Sequence, residues 1–188
     1  QQRLTGSGTF ARLTVDNING VVVPTQSSSV NYSDQLRLKQ GVLDIGRNLM
    51  ILQKNASIVA VNPFSSDNMI QTNLSFTDAG IMKYIPAGAQ TVVYPIGSGG
   101  KYTPVILNVT ANAADNGFVR VKAANEPHIT VLEANHNNVL NYNWTLDAGG
   151  ISGFSGNAVM QAIPADARVT APNTLDNYIA ARILAGGI

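Results

Sequence analysis

Tyr94-Pro95-Ile96-Gly97-Ser98-Gly99-Gly100-Lys101-Tyr102-Thr103-Pro104-Val105 divides this chain into two β-rich parts of different texture. The stretch is too dense in proline and glycine for a helix or a central strand. Before it, short apolar runs follow one another closely with little charge between them. After it come longer alternating runs, the single Trp and the more charged loops.

The first part, residues 1–87, reads as successive short strands. Ala11-Arg12-Leu13-Thr14-Val15 alternates, and Asn17-Ile18-Asn19-Gly20 turns. Val21-Val22-Val23 follows, then Pro24 and a Ser-rich loop. Gln35-Leu36-Arg37-Leu38-Lys39 alternates and Gln40-Gly41 turns. Val42-Leu43-Asp44-Ile45, Leu49-Met50-Ile51-Leu52 and Ser57-Ile58-Val59-Ala60-Val61 complete the series. An apolar triplet, a turn with Gly or Asn and another apolar triplet recur at about 20 residues, in the range of solenoid repeats. A parallel β-solenoid accounts for this texture better than an antiparallel sandwich with short hairpins. Each coil buries its inward side chains on its neighbours, so strands can be short and charge sparse. The inward positions are predicted to include Leu13, Val15, Leu36, Leu38, Leu43, Ile45, Met50 and Leu52, because alternation puts each pair on one face.

Residues 88–188 read as an antiparallel β-sandwich. Val105 to Thr110 and Phe118 to Ala123 are alternating runs, and Asn116-Gly117 between them is a type I′ hairpin signal. Val139 to Leu146 places Tyr142 and Trp144 on one face. Asn157 to Ala162 and Asn177 to Leu184 are further strands. The fold class is therefore all-β, a short parallel solenoid followed by a sandwich.

Composition narrows the function. Charged residues make up 12% of the chain, against about 25% in ordinary soluble domains. Net charge is +1, with no basic block interleaved with aromatics. A nucleic-acid partner is not indicated, since that needs a phosphate-neutralising patch. Cys is absent, which removes disulfides, thiolate catalysis and zinc-thiolate sites. No apolar run approaches the roughly 20 residues of a helical membrane span. Gln1-Gln2-Arg3-Leu4 reads as the interior of a sequence already under way, so a processed product or a piece of a longer chain is expected.

Several phrases resemble one family. They are Gly6 to Phe10, Leu13-Thr14-Val15-Asp16-Asn17, Gly41-Val42-Leu43-Asp44-Ile45-Gly46, Tyr94 to Val105, Glu126-Pro127-His128 and Leu140-Asn141-Tyr142-Asn143-Trp144-Thr145-Leu146. Together they resemble the repetitive cell-surface and secreted proteins of Bacteroidota, many of them exported by the type IX secretion route. The resemblance implies a solenoid running into a sandwich, an extracellular or cell-surface location, and an adhesin-like or filament-like role. It carries no catalytic residue onto this chain, and the C-terminal sorting domain of such proteins is absent from it.

Candidate sites weigh lightly. Glu126, His128, Glu133 and His136 are the only His/carboxylate cluster, but their spacing fits no ligand motif and a solvated loop is the simpler reading. Asp16, Asp34, Asp44, Asp67 and Asp78 could offer oxygens to Ca²⁺, yet no Asp-x-Asp-x-Asp-Gly loop occurs, and turn chemistry accounts for them. Gly97 to Lys101 lacks the Ser/Thr and the following helix of a phosphate loop. Gly153-Phe154-Ser155-Gly156 lacks the strand-turn-helix setting of a nucleophile elbow. Tyr102, Tyr142, Trp144 and Phe154 could form a platform for sugar rings or a partner, against core packing as the plainer role.

The leading expectation is a structural or adhesive module with no chemistry of its own. A carbohydrate-binding module using the aromatic face comes second, and a polysaccharide-active β-helix enzyme third, since the latter needs clustered carboxylates. Asn177 to Leu184 followed by Ala185-Gly186-Gly187 lacks a returning strand. Expected partners are therefore neighbouring modules of the same polypeptide or identical subunits in a polymer, with surface glycans as a further option.

Overall fold

The computed structural model describes residues 1–24, 29–72, 80–128 and 138–167. The chain is all-β, with a parallel solenoid of about four turns followed by antiparallel sheets. Along the chain come β1 (Gln2–Arg3), β2 (Gly8–Asp16), β3 (Val21–Val22), β4 (Val30–Gln40), β5 (Leu43–Gly46), β6 (Leu49–Leu52), β7 (Ser57–Ala60), β8 (Ile70–Thr72), β9 (Gly80–Ile85), β10 (Gln90–Tyr94) and β11 (Ile96–Ser98), and all of these but β10 join the parallel solenoid. Then follow β12 (Lys101–Tyr102), β13 (Val105–Ala111), β14 (Gly117–Ala124), β15 (Asn143–Gly149) and β16 (Ser155–Met160), and a single 3₁₀ turn, Pro164–Asp166.

Parallel pairing runs in three ladders. The first stacks β1, β3, β5, β8 and β11, so that Val21, Leu43, Ile70 and Ile96 lie in one row. The second stacks the first halves of β2 and β4 on β6 and β9, aligning Val30, Met50 and Ile81. The third stacks the second halves of β2 and β4 on β7, aligning Leu13, Leu36 and Ile58. β4 serves two ladders because its partner changes from β6 to β7 between Tyr32 and Gln35. Residues 30–34, which the sequence places in a Ser-rich loop, therefore belong to a long strand. Their alternation is masked by the polar side chains at this change of partner.

The inward rows are where sequence and structure agree most closely. Val15, Leu36, Leu38, Leu43, Ile45, Met50 and Leu52 are all buried, and Leu13 packs against them half-buried in the end coil. Each fully buried Leu, Ile or Met is worth about 1.5–3 kcal/mol relative to exposure. One core continues through Tyr94, Val105, Leu107, Val119 and Val121, so it spans the solenoid and the antiparallel sheets alike.

The parallel pattern ends at Gly99-Gly100. Both glycines have positive φ, 59° and 76°, and Ser98 pairs with Lys101 across them. Two left-handed residues in a two-residue loop are the type I′ requirement, so the chain reverses here. The sequence reading of this stretch needs one correction. Ile96–Ser98 is a buried strand lying between β8 and β12. Glycine is required at Gly97 because a Cβ would collide with the Lys101 carbonyl and the Met69 sulfur.

After the reversal every strand pairs antiparallel. β10, β13 and β16 form one sheet, while β14 and β15 extend the second ladder beyond β9. The hairpin expected at Asn116-Gly117 does not form. β13 and β14 lie in different sheets, and Gly117 is not among the glycines with positive φ. Crossing between sheets lets both strands bury an apolar face, which outweighs the local turn signal. Gly117 answers to crowding instead, since a Cβ would meet Ile151 and the Gly150 carbonyl. The Asn112 carboxamide closes the crossing by donating to the carbonyls of Ile85, Pro86 and Ala114.

The expected strand Val139 to Leu146 is displaced to Asn143–Gly149, with Leu140 making only a bridge to Ala167. The expected strand Asn177 to Leu184 lies outside the described residues.

Candidate functional site

The turns that end successive coils stack side by side, because the coils themselves are in register. Gly20 N–H donates to the Asn17 carbonyl, Asn17 N–H to Gln40, and Val21 N–H to Val42. Asn62 Nδ2 reaches back to the Lys39 carbonyl at 3.2 Å. Close stacking demands glycine at Gly41, whose φ is +90° and whose Cβ would run into the Asn17 carbonyl. The result is a corner built from three neighbouring turns, 17–20, 39–42 and 62–68.

This corner holds an open groove of about 600 Å³, within the roughly 300–1,000 Å³ usual for small-ligand sites. Asn19, Gln40, Asn62, Asn68 and Gln71 bring amides to its walls, beside apolar surface that includes Ile18, Val42 and Pro63. Asp44 stands in the wall with both carboxylate oxygens engaged. Oδ1 accepts the Gly46 N–H at 2.9 Å, and Oδ2 accepts Gln71 Nε2 at 3.0 Å. Gln71 in turn accepts the Gly100 N–H at 3.0 Å, tying the groove to the reversal hairpin. Lys39 at the rim donates to Asp16 at 2.6 Å, and this hydrogen bond holds the Asp16 carboxyl below its ordinary value. Asn68 is 4% exposed. Its Nδ2 donates to the Asn62 carbonyl at 3.1 Å, and its buried Oδ1 has no hydrogen-bond partner among the described residues. Ile18, 79% exposed, stands at the lip beside Pro63.

Sequence reading missed this groove because its residues come from three turns that look like ordinary punctuation. The only sequence signal was that Asn and Gln recur near the turns, at Asn19, Gln40 and Asn62.

The four aromatics singled out in the sequence fall into two places. Tyr142 and Trp144 meet edge to face, with centroids 5.3 Å apart and planes at 84°. Tyr142 is buried, and its hydroxyl accepts from the Ile163 N–H. Burial raises its pKa. Trp144 is half-buried rather than a full core residue, packed against the core with Nε1 donating to the Thr103 carbonyl at 2.9 Å. Lys101 lies 5.6 Å over the Tyr142 ring and pairs with Asp166 at 3.1 Å. Tyr102 is half-buried beside Thr103, and burial raises its pKa too. Phe154 packs against the core in the β15–β16 connection, and among the described residues it makes no ring contact with the other three.

The acidic candidates are dispersed. Asp34 pairs with Arg12, Asp16 with Lys39, and Asp67 sits in a turn where its N–H donates to Ser65 Oγ. Asp78, Glu133 and His136 lie outside the described residues. Among the described residues no three His, Cys, Asp or Glu side chains gather as a metal ion would need. Also among the described residues, no helix is long and apolar enough to cross a membrane.

Comparison of the chain with models of protein families, with curated proteins and with solved structures finds no match.

Proposed function

We propose that this chain is a structural or adhesive module of an extracellular bacterial surface protein or filament, with no chemistry of its own. The observation that carries the reading is the end coil of the solenoid, whose outer edge is unpaired among the described residues. Among the described residues β1 pairs only with β3, and β2 only with β4. Leu4, Leu13 and Val21 of that end coil are only half-buried. An unpaired strand edge beside partly exposed apolar rungs is a template for another chain segment. The natural occupant is a neighbouring module of the same kind or an identical subunit, joined by strand addition. The extracellular location rests on the family resemblance of the sequence phrases, and the lack of Cys is compatible with it.

The test is the state of the purified chain. Light scattering with size-exclusion chromatography, and negative-stain microscopy, should reveal concentration-dependent end-to-end association. A charged substitution at the edge, Thr14→Lys, should weaken it. A monomer at all concentrations, with the β2 amides that point away from β4 also protected from hydrogen exchange, overturns the reading.

The carbohydrate-binding alternative through Tyr102, Tyr142, Trp144 and Phe154 is the weaker one, since Tyr142 is buried and Trp144 is tied by its ring N–H to Thr103. The enzyme alternative is weaker still, because both oxygens of Asp44 are already hydrogen-bonded.

A further inference from the structure

We infer that the corner groove formed by turns 17–20, 39–42 and 62–68 binds a neutral saccharide chain. The inference is independent of the assembly reading above and of the aromatics named in the sequence.

The chemistry of the wall selects the ligand class. Asn19, Gln40 and Asn62 each carry a carboxamide, which offers a donor and an acceptor on one flat group. A sugar hydroxyl is likewise donor and acceptor, so a row of amides matches a row of hydroxyls. Asp44 and Asp67 in the lining disfavour an anionic ligand. A metal ion is disfavoured as well, because among the described residues no three His, Cys, Asp or Glu side chains gather there. What remains is an uncharged, polyhydroxylated molecule.

The geometry suits a chain rather than a single ring. The groove is open, and its walls come from consecutive coils, which stack about 4.7–4.9 Å apart where they pair. Ile18 and Pro63 at the lip give an apolar surface for the C–H face of a pyranose.

Asn68 supplies the second observation. It is 4% exposed, its Nδ2 is held by the Asn62 carbonyl, and its Oδ1 is buried in the groove wall without a partner among the described residues. An acceptor left over in that wall calls for a donor, and a hydroxyl in the groove provides one when the Asn68 carboxamide turns outward.

The experiment is a titration of the full chain with hexamers of the cello-, xylo-, manno- and chito-oligosaccharide series, and with an oligogalacturonate as anionic control, followed by calorimetry and NMR. Saturable binding to at least one neutral series is expected. Asn19→Ala with Gln40→Ala, both on the exposed rim, should weaken it about tenfold or more through loss of two hydrogen-bonding groups. Ile18→Ser should weaken it separately, and Trp144→Phe should leave it unchanged. Melting temperatures of the rim variants should match the parent, which separates lost binding from lost fold. No binding in any neutral series, binding only of the oligogalacturonate, or undiminished affinity in the rim variants overturns the inference.

Discussion

The hydroxyl of Tyr94 donates to the carbonyl of Val119 at 3.1 Å, in the middle of the core. Tyr94 ends a strand of the three-stranded sheet and Val119 lies in the strand added to the second ladder, so this one bond joins the two sheets. Burial drives the Tyr94 pKa far upward. The hydroxyl therefore stays a donor at any ordinary pH. Tyr94→Phe keeps the ring and removes the donor, and should cost about 1–3 kcal/mol by leaving a buried carbonyl under-satisfied. Urea unfolding, with the midpoint and slope both fitted, measures it.

Tyr32 is the counterpart of opposite sign. It is fully buried and stacked on Phe10 with centroids 6.0 Å apart, yet its hydroxyl has no partner among the described residues. Tyr32→Phe should leave the stack intact and be neutral or stabilising, by up to about 1–3 kcal/mol. A loss of stability as large as that of Tyr94→Phe would mean that the Tyr32 hydroxyl is bonded in solution.

Lys83 points inward in the row that contains Leu52 and Val119. It is 5% exposed, and its Nζ donates to the carbonyls of Gln53 at 2.8 Å, Lys54 at 2.6 Å and Tyr84 at 2.8 Å. Burial pushes its pKa down to about 8 from 10.5. Three carbonyls oppose that fall, because only the ammonium has three N–H groups. Between the two values the unfolded chain holds more protons than the folded one, so stability should rise with pH there. Lys83→Met should flatten the rise. Denaturation followed from about pH 8 to 9.5, below the ordinary tyrosine range, should give a positive slope in the parent protein and a smaller one in the variant. A slope unchanged by the substitution would remove Lys83 as its source.

Gly41 should tolerate no side chain. Its φ is +90° and a Cβ would collide with the Asn17 carbonyl. The left-handed conformation alone costs an L-residue about 1–2 kcal/mol, and the collision adds more by prising two coils apart. Gly41→Ala should therefore lower the melting temperature far more than Gly88→Ala. At Gly88 φ is also positive, but nothing lies within 4 Å of the added Cβ. Equal effects at the two sites would deny the close stacking of turns.

Trp144→Ala should cost about 3 kcal/mol, the low end for large aromatic truncations, because the ring is half-buried and not enclosed. Trp144→Phe should cost less, about 1 kcal/mol, the worth of the lost bond to Thr103. Thermal unfolding of both variants would separate packing from hydrogen bonding. If Trp144→Ala melts like the parent, the ring serves contact with a partner rather than stability.

The inward rows were legible in the sequence, because a strand sends alternate side chains to opposite faces whatever it pairs with. Leu36 with Leu38, Leu43 with Ile45 and Met50 with Leu52 needed only that local rule. The solenoid reading needed only their recurrence, and the change of texture at Tyr94 to Val105 marked where the Gly99-Gly100 pair reverses the chain. Partners were not legible. Asn116-Gly117 carries a strong hairpin signal, yet β13 and β14 part to different sheets, since each gains more by burying its apolar face against a distant strand. Lys83 reads as a surface lysine until the fold brings Gln53 and Lys54 carbonyls around it. The groove has no sequence of its own, for Asn19, Gln40 and Asn68 become neighbours only when three coils stack. Local chemistry determined which residues turn inward; only the tertiary structure decided what they meet, because pairing depends on contacts between residues far apart in the chain.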